Sequence, residues 1–218
     1  MSASTAVGSS PENGAIRRGP GRPARTESER AAQRARLLDS VMAGIRQLGA
    51  YASVDHLAAA AGVSKPVLYD EFGGKEGIAD AIGEELAQRA ERQFIARLVG
   101  PDPLDIFSGV RAVIDTLWDL VAEESEIYGF VVRCVRVSDR RLLDNGFVRA
   151  LDRRVQPMSR LLAPGTEPAV VTMLAHGVLG FVIFAVESWQ TTRRPTREEL
   201  LDAVMTLIQN GLGAVSPP

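Results

Sequence analysis

Residues 53–76, SVDHLAAAAGVSKPVLYDEFGGKE, carry the pattern of two short helices joined by a tight turn. Ser53 is a good N-cap for the first helix, and Gly62 supplies a residue that accepts a positive φ after it. Ser64 is placed to cap the second helix, and Pro66 falls in its first turn, where a missing N–H has little cost. The spacing predicts a helix-turn-helix, a motif that places its second helix in the major groove of DNA.

The sequence around this stretch is helical in pattern throughout. A helix is predicted over 27–48, with Thr26 as its N-cap and apolar residues at intervals of three and four. Further helices are predicted at 75–99, 104–123, 126–137, 140–162, 168–191 and 197–212, and Pro157 is expected to kink or split one of them. No stretch alternates with period two, so we expect an all-α protein.

Composition divides the chain into three parts. Residues 1–25 are rich in Ser, Gly, Pro and Arg and are predicted to be a disordered basic arm. Residues 26–80 are predicted to form the DNA-binding domain, an N-terminal three-helix unit, and 81–218 a second helical domain. Residues 100–103, GPDP, mark a clear break between helices.

Positive charge is concentrated near the N-terminus, although the whole chain has a formal net charge of −2. Residues 15–46 contain eight arginines and three acids, whereas residues 100–218 contain 12 arginines and 15 acids. A basic N-terminal part on an acidic body is expected if only that part meets phosphates, but a solvated charged tail has the same composition. The tripeptide Gly21-Arg22-Pro23 resembles the centre of an AT-hook, and minor-groove entry, phosphate contacts alone or no DNA contact all remain open.

Several function classes find no support in the residues. Cys134 is the only cysteine, and His56 and His176 are far apart, so no metal site or other cofactor is expected. No nucleophile–base pair, phosphate-binding loop or HExxH motif indicates an enzyme. The N-terminus lacks the apolar run of a signal peptide, so a cytoplasmic location is expected.

Residues 169–186, AVVTMLAHGVLGFVIFAV, are 18 residues without a formal charge. A membrane-spanning helix needs about 20 such residues, and a helix buried in a core or between subunits has the same composition. We expect burial and no membrane, with a membrane anchor as the alternative.

The segment Ala61-Gly62-Val63-Ser64-Lys65, followed by Leu68-Tyr69, Phe72 and Lys75-Glu76, resembles the tetracycline-repressor (TetR/AcrR) family. The resemblance covers about residues 27–80. It implies a DNA-binding unit followed by a variable helical domain that binds a small ligand and dimerises. It also implies that the helices at 168–191 and 197–212 form the homodimer interface.

The predicted DNA-binding residues lie in and around the second helix of the motif, at residues 64–72. They are Ser53, Ser64, Lys65, Pro66, Val67, Tyr69 and Lys75. Ser64 and Lys65 are placed to grip a phosphate, and Val67 is placed to contact a thymine methyl. Tyr69 is expected to place its hydroxyl on a phosphate while its ring packs, and the resemblance implies that Lys75 is a second phosphate anchor.

Two acids depart from the family pattern in this helix. Asp70 and Glu71 stand where the family often has Tyr, His or Arg. Carboxylates repel phosphates, so these two acids are compatible with a DNA contact only if they accept a hydrogen bond from cytosine N4 or pair with an arginine. The alternative is that both side chains point away from DNA.

Candidate residues for a ligand pocket are the aromatic and polar side chains of the second domain. They are Trp118, Tyr128, Phe130, Cys134, Phe147, Met158, His176, Phe181, Phe184 and Trp189. Each taken singly fits an ordinary core position as well. Together with the resemblance, the sequence predicts a dimeric transcriptional repressor that binds a palindromic operator and is released by an unknown small molecule.

Overall fold

The computed structural model describes residues 26–98, 106–137, 146–162, 165–192 and 194–212. Those residues form nine α-helices and no strand, which confirms the all-α prediction. The helices are α1 (Glu27–Leu48), α2 (Val54–Ala60), α3 (Lys65–Phe72), α4 (Lys75–Leu98), α5 (Ile106–Glu123), α6 (Ser125–Val137), α7 (Gly146–Leu162), α8 (Pro168–Thr192) and α9 (Arg197–Leu212). The predicted basic arm with its Gly21-Arg22-Pro23 tripeptide, and the break at 100–103, lie outside the described residues.

Helix α1 begins at a complete capping box. The Thr26 hydroxyl accepts a hydrogen bond from the Glu29 N–H at 3.2 Å, and the Glu29 carboxylate accepts one from the Thr26 N–H at 2.8 Å. Val41 and Ile45 are fully buried on the predicted apolar stripe. The first ten residues of α1, by contrast, are exposed, so this end of the helix projects beyond the core.

The turn between α2 and α3 follows the predicted chemistry. The Ser53 hydroxyl caps α2 by accepting from the His56 N–H at 3.2 Å, and Gly62 has a φ of 67°. Small residues allow α1 and α2 to approach closely, because a Cβ placed on Gly44 would lie 2.9 Å from the Cβ of Ala60. The backbone of this unit is therefore held in position by local sequence features.

Helix α4 connects the first three helices to the rest of the chain. It packs against α1 and α3 near its start and against α5, α6 and α7 along its length. Its buried residues Ile78, Ile82 and Leu86 belong to one hydrophobic core that continues through α5 to α9. The predicted domain boundary at residue 80 falls inside this continuous helix.

Two sequence predictions concern α7. Pro157 lies inside this helix without splitting it, and a kink there stays a prediction. Residues 140–145, where the pattern predicts that the helix starts, lie outside the described residues, and within them α7 begins at Gly146.

Helix α8 is buried on one side in the described part of the chain. Val171, Leu179, Val182 and Val186 face the core, but the most apolar 18-residue window is only 22% buried. An exposed stripe runs along its other side and comprises Val170, Met173, Leu174, Phe181 and Phe184. The helix is long and apolar enough to cross a membrane by length and composition. Burial of this stripe between subunits stays a prediction.

Candidate nucleic-acid interface

Helix α3 has one buried and one exposed side. Leu68 is fully buried and Phe72 is 7% exposed. Val67 is 40% exposed and Tyr69 is 49% exposed. Lys65 and Pro66 are also exposed. The residues predicted to meet DNA therefore share the solvent side of a short, firmly anchored helix.

The N-terminus of α3 is open at its cap. Ser64 occupies the N-cap position with extended backbone, but its side chain makes no capping hydrogen bond, which corrects the predicted side-chain cap. Pro66 in the first turn has no N–H, and the Val67 N–H donates to the Ser64 carbonyl at 3.0 Å. The contact of Ser64 and Lys65 with a phosphate stays a prediction.

The ammonium of Lys65 is paired within the motif. Its Nζ lies 3.0 Å from Oδ2 of Asp55 on α2, and this hydrogen bond raises the pKa of Lys65. Both groups are largely exposed, so the pair is worth little to stability. The pair links α2 and α3 at the edge where a phosphate is expected.

Tyr69 packs on the turn that follows α3. A Cβ placed on Gly74, which has a φ of 99°, would lie 3.0 Å from Cε1 of the tyrosine ring. Glycine is therefore required here both by the backbone angle and by the ring. The ring is supported as the sequence predicts, and the side chain remains half exposed.

Arg34 of α1 supports the C-terminal end of α3. Its Nε lies 3.3 Å from Oε1 of Glu71, and its Cζ lies 4.9 Å from the centroid of the Phe72 ring. This contact gives Glu71 the arginine partner that is one of the open alternatives for the two acids, whereas no such ion pair includes Asp70 in the described part of the chain. The particular partner was missed in the sequence, although an acid in a DNA-facing helix and an arginine-rich neighbouring helix were both visible.

Lys75 faces the body of the protein. Its Nζ lies 5.1 Å from the centroid of the buried Phe130 ring on α6. In this position the ammonium is directed to α6 and away from the exposed side of α3. Its role as a phosphate anchor stays a prediction that requires a different side-chain rotamer.

Comparison with known proteins assigns the motif. The sequence profile of "bacterial regulatory proteins, tetR family" matches residues 43–82, which include α2, α3 and the turn between them. Two uncharacterised HTH-type transcriptional regulators of Mycobacterium tuberculosis, from strains CDC 1551 and H37Rv, are each 28% identical over 193 residues. The match covers 88% of this chain and 82% of each relative. Residues 43–82 of this chain are thus similar to the helix-turn-helix segment of the tetR family.

Solved structures of tetR-family regulators share this fold. A regulator from Streptomyces coelicolor aligns with a TM-score of 0.63 at 22% identity, covering 88% of this chain and 83% of that one. The regulator PfmR from Thermus thermophilus aligns with a TM-score of 0.52 at 23% identity, covering 80% of this chain and 94% of that one. The likeness to these structures shows the fold of this chain, a helix-turn-helix unit followed by a helical C-terminal part.

A buried carboxylate joins the helix-turn-helix unit to the helices that follow it. Glu124, at the junction of α5 and α6, is 8% exposed. Arg46 of α1 donates to its two carboxylate oxygens at 2.8 and 2.7 Å, and Arg89 of α4 donates at 2.5 Å. The hydrogen bonds from Arg46, supported by those from Arg89, hold the pKa of Glu124 below its ordinary value although burial opposes them.

Further contacts surround this buried carboxylate. The Glu126 carboxylate accepts a hydrogen bond from the Ala50 N–H at 2.8 Å, and the guanidinium of Arg133 lies 3.5 Å from the centroid of the Tyr51 ring. All of these contacts join α6 to the end of α1 or to the turn after it. No local signal in the sequence could have revealed the Glu124 contact, because Arg46 and Glu124 are separated by 78 positions.

The predicted ligand residues fall into separate groups. Trp118, Tyr128, Phe130 and Phe147 are buried, and Tyr128 meets Phe147 edge to face with centroids 6.4 Å apart. Phe181 and Phe184 are exposed on the α8 stripe, and their part in a ligand pocket stays a prediction. The placement follows from helix periodicity, since these two residues lie on the side of α8 opposite its buried residues.

The remaining candidates are half-buried or outside the described side chains. Trp189 lies 4.7 Å from Trp118 between ring centroids, and Cys134 is half-buried, which raises the pKa of its thiol. His176 Nε2 lies 2.7 Å from Oδ1 of Asp152 on α7. The Met158 side chain lies outside the described residues. Among the described residues, no group of His, Cys, Asp and Glu could hold a metal ion.

Proposed function

We propose that this protein is a tetR-family transcriptional regulator that binds a palindromic DNA operator as a homodimer and acts as a repressor that a small-molecule ligand releases. The observation that carries the proposal is the exposed side of α3, where Val67 and Tyr69 remain in solvent while Leu68 and Phe72 anchor the helix. In a helix-turn-helix this side enters the major groove. Residues 26–80 would form the DNA-binding domain and 81–218 the domain for ligand and dimer.

The predicted contacts divide into two kinds. Ser53, Ser64, Lys65, Tyr69 and Lys75 would meet phosphates and fix the register of the helix on DNA. Val67, beside Pro66, would meet base edges and contribute to sequence preference.

The exposed stripe of α8 supports the dimer. Met173 is 73% exposed and Phe184 is 62% exposed, and they lie in one row with Phe181. A Cβ on Gly177, in the same row, would meet no atom within 4 Å, so the surface there is open. A contiguous apolar surface of this kind marks an interface, and a second copy of α8, with α9 and its exposed Leu207 beside it, would cover it.

The body of the protein is where the ligand would bind. Buried aromatic rings from α5, α6 and α7, together with Cys134, would supply apolar contacts. The linked polar groups of α7 and α8, Asp152 and Gln156 with His176 and Thr172, would meet a polar group of the ligand. The ligand would act by favouring the arrangement of α1, α4 and α6 that binds DNA less well.

The proposal is tested by gel shift with DNA fragments from around the gene that encodes the regulator. We expect a retarded band that disappears as salt rises, because phosphate contacts release counterions. The Tyr69→Ala variant should shift the same fragment only at higher protein concentration. Absence of a retarded band at low salt with every upstream fragment would contradict the proposal.

A soluble dimer is the second part of the test. We propose that the protein is cytoplasmic and does not insert α8 into a membrane, since the stripe occupies only one side of a helix whose other side packs on the core. Cell fractionation should leave the protein in the soluble fraction. Recovery of the full-length chain in the membrane fraction would favour a membrane anchor instead.

A further inference from the structure

We propose that Asp70 reads the exocyclic amine of a cytosine in the major groove, and that this one carboxylate sets the preferred base at one position of each half-site. The inference rests on the proposed DNA binding and goes beyond it by naming a residue and a base.

The position of Asp70 on α3 is the first argument. Leu68 and Phe72 mark the buried side of the helix. Successive residues of a helix are about 100° apart around its axis. Measured from the direction midway between Leu68 and Phe72, Asp70 lies at about 180°. Tyr69 and Glu71 lie at about 80° from the same direction, one on each side. Asp70 is exposed and is therefore the side chain of α3 that points most directly away from the core.

The charges around α3 are the second argument. Glu71 is paired with Arg34, and Lys65 is paired with Asp55. Within the described part of the chain, no arginine, lysine or histidine nitrogen forms an ion pair with Asp70. A carboxylate that approaches DNA in this state is repelled by phosphates and loses its hydration, so it is compatible with binding only where the groove offers it a hydrogen-bond donor.

Base chemistry selects the donor. In the major groove only cytosine N4 and adenine N6 carry donors. In adenine the acceptor N7 lies beside the amine on the same base and repels a carboxylate, whereas cytosine itself presents only its amine. Cytosine is therefore the base that an unpaired aspartate accepts best.

Val67 lies close to Asp70 on the surface of α3. It lies three residues before Asp70, and side chains at this spacing are about 5–6 Å apart on a helix surface. An apolar contact from Val67 to a thymine methyl would therefore fall close to the cytosine that Asp70 reads. We expect half-sites that contain a cytosine next to, or one base pair away from, a thymine.

Selection from a random DNA library tests the inference. The full chain, Asp70→Asn, Asp70→Ala and the control Glu71→Gln are each used to enrich binding sequences, with circular dichroism to show equal helix content. The full chain should enrich cytosine at one position of each half-site, and replacement of that base should weaken binding at least about fivefold. Asp70→Asn should change the preferred base to adenine, since an amide pairs with adenine N6 and N7.

The other variants separate the possible outcomes. Asp70→Ala should lose base preference at that position only, and Glu71→Gln should retain the preference of the full chain. If the full chain and Asp70→Asn enrich identical sequences, the role of Asp70 is overturned while DNA binding stays intact. Failure of the full chain to enrich any sequence would instead overturn the proposed function and this inference with it.

Discussion

Replacing Phe184 by aspartate should separate the dimer into folded monomers. Phe184 is 62% exposed at the C-terminal end of the apolar stripe of α8. In the proposed dimer this ring is covered by the partner subunit, and the two-fold axis places the same substitution on both sides of the interface. A carboxylate there would lose its hydration without gaining a partner.

The size of the effect follows from the exposed area of the ring. A phenylalanine buries about 200 Å² when fully covered, so covering the exposed 62% of Phe184 removes about 120 Å² from water. At about 25 cal/mol per Å² this is about 3 kcal/mol for each chain and about 6 kcal/mol for the dimer. The dimer dissociation constant should therefore rise by about 10⁴-fold if the ring is fully covered.

Sedimentation equilibrium measures this change. The full chain should behave as a dimer at micromolar concentration, and Phe184→Asp should behave as a monomer with unchanged helical circular dichroism. The matched control is Ile95→Asp on α4, since Ile95 is 53% exposed but lies outside the α8 surface. The reasoning is refuted if Phe184→Asp retains the dimer dissociation constant of the full chain, or if Ile95→Asp dissociates the dimer equally.

The other contacts support three further predictions. Glu124→Gln should lower the free energy of unfolding by about 1–3 kcal/mol in urea titrations, because two arginines lose a charged acceptor. Because the pKa of Glu124 is lowered in the folded protein, its contribution to the free energy of unfolding is complete above the unfolded-state pKa of about 4.3. This contribution is lost as the pH falls through the folded-state pKa. The free energies of unfolding of the full chain and of Glu124→Gln should therefore converge in acid. Arg34→Ala should weaken binding to all DNA sequences in fluorescence anisotropy titrations, because Glu71 is then unpaired near phosphates; unchanged affinity would count against that pairing. Tyr69→Ala should weaken binding to all DNA sequences, whereas Val67→Ala should change base preference in a library selection; equal effects of Val67→Ala on specific and random DNA would exclude a base-reading role.

The local features of the fold could be predicted from the sequence. Thr26 and Ser53 cap their helices, and the glycine at position 62 adopts the positive φ that the turn requires. These features depend on residues within four positions of one another, where hydrogen-bonding chemistry and backbone sterics act directly. The same holds for the buried side of α3, which helix periodicity identifies.

Contacts between distant segments could not be predicted in this way. The ion pairs of Arg46 and Arg89 with Glu124 join α1, α4 and the start of α6. The sequence near any one of these three residues does not indicate the other two. The orientation of Lys75 toward Phe130 likewise depends on how α6 packs beside α4. Phe181 and Phe184 are apolar, so in the sequence they fit core positions. Their exposure depends on which side of α8 packs on the core, which their residue type does not indicate.

Hydroxyl-radical footprinting on a selected operator tests whether the protein binds DNA as a dimer through α3. We expect two protected segments related by two-fold symmetry, with half-site centres about 34–36 Å apart, because the two subunits insert their α3 helices in successive turns of the major groove. The Phe184→Asp variant, as a monomer, should lose both segments at the same protein concentration. A single protected segment, or a symmetric footprint that Phe184→Asp leaves unchanged, would contradict this expectation.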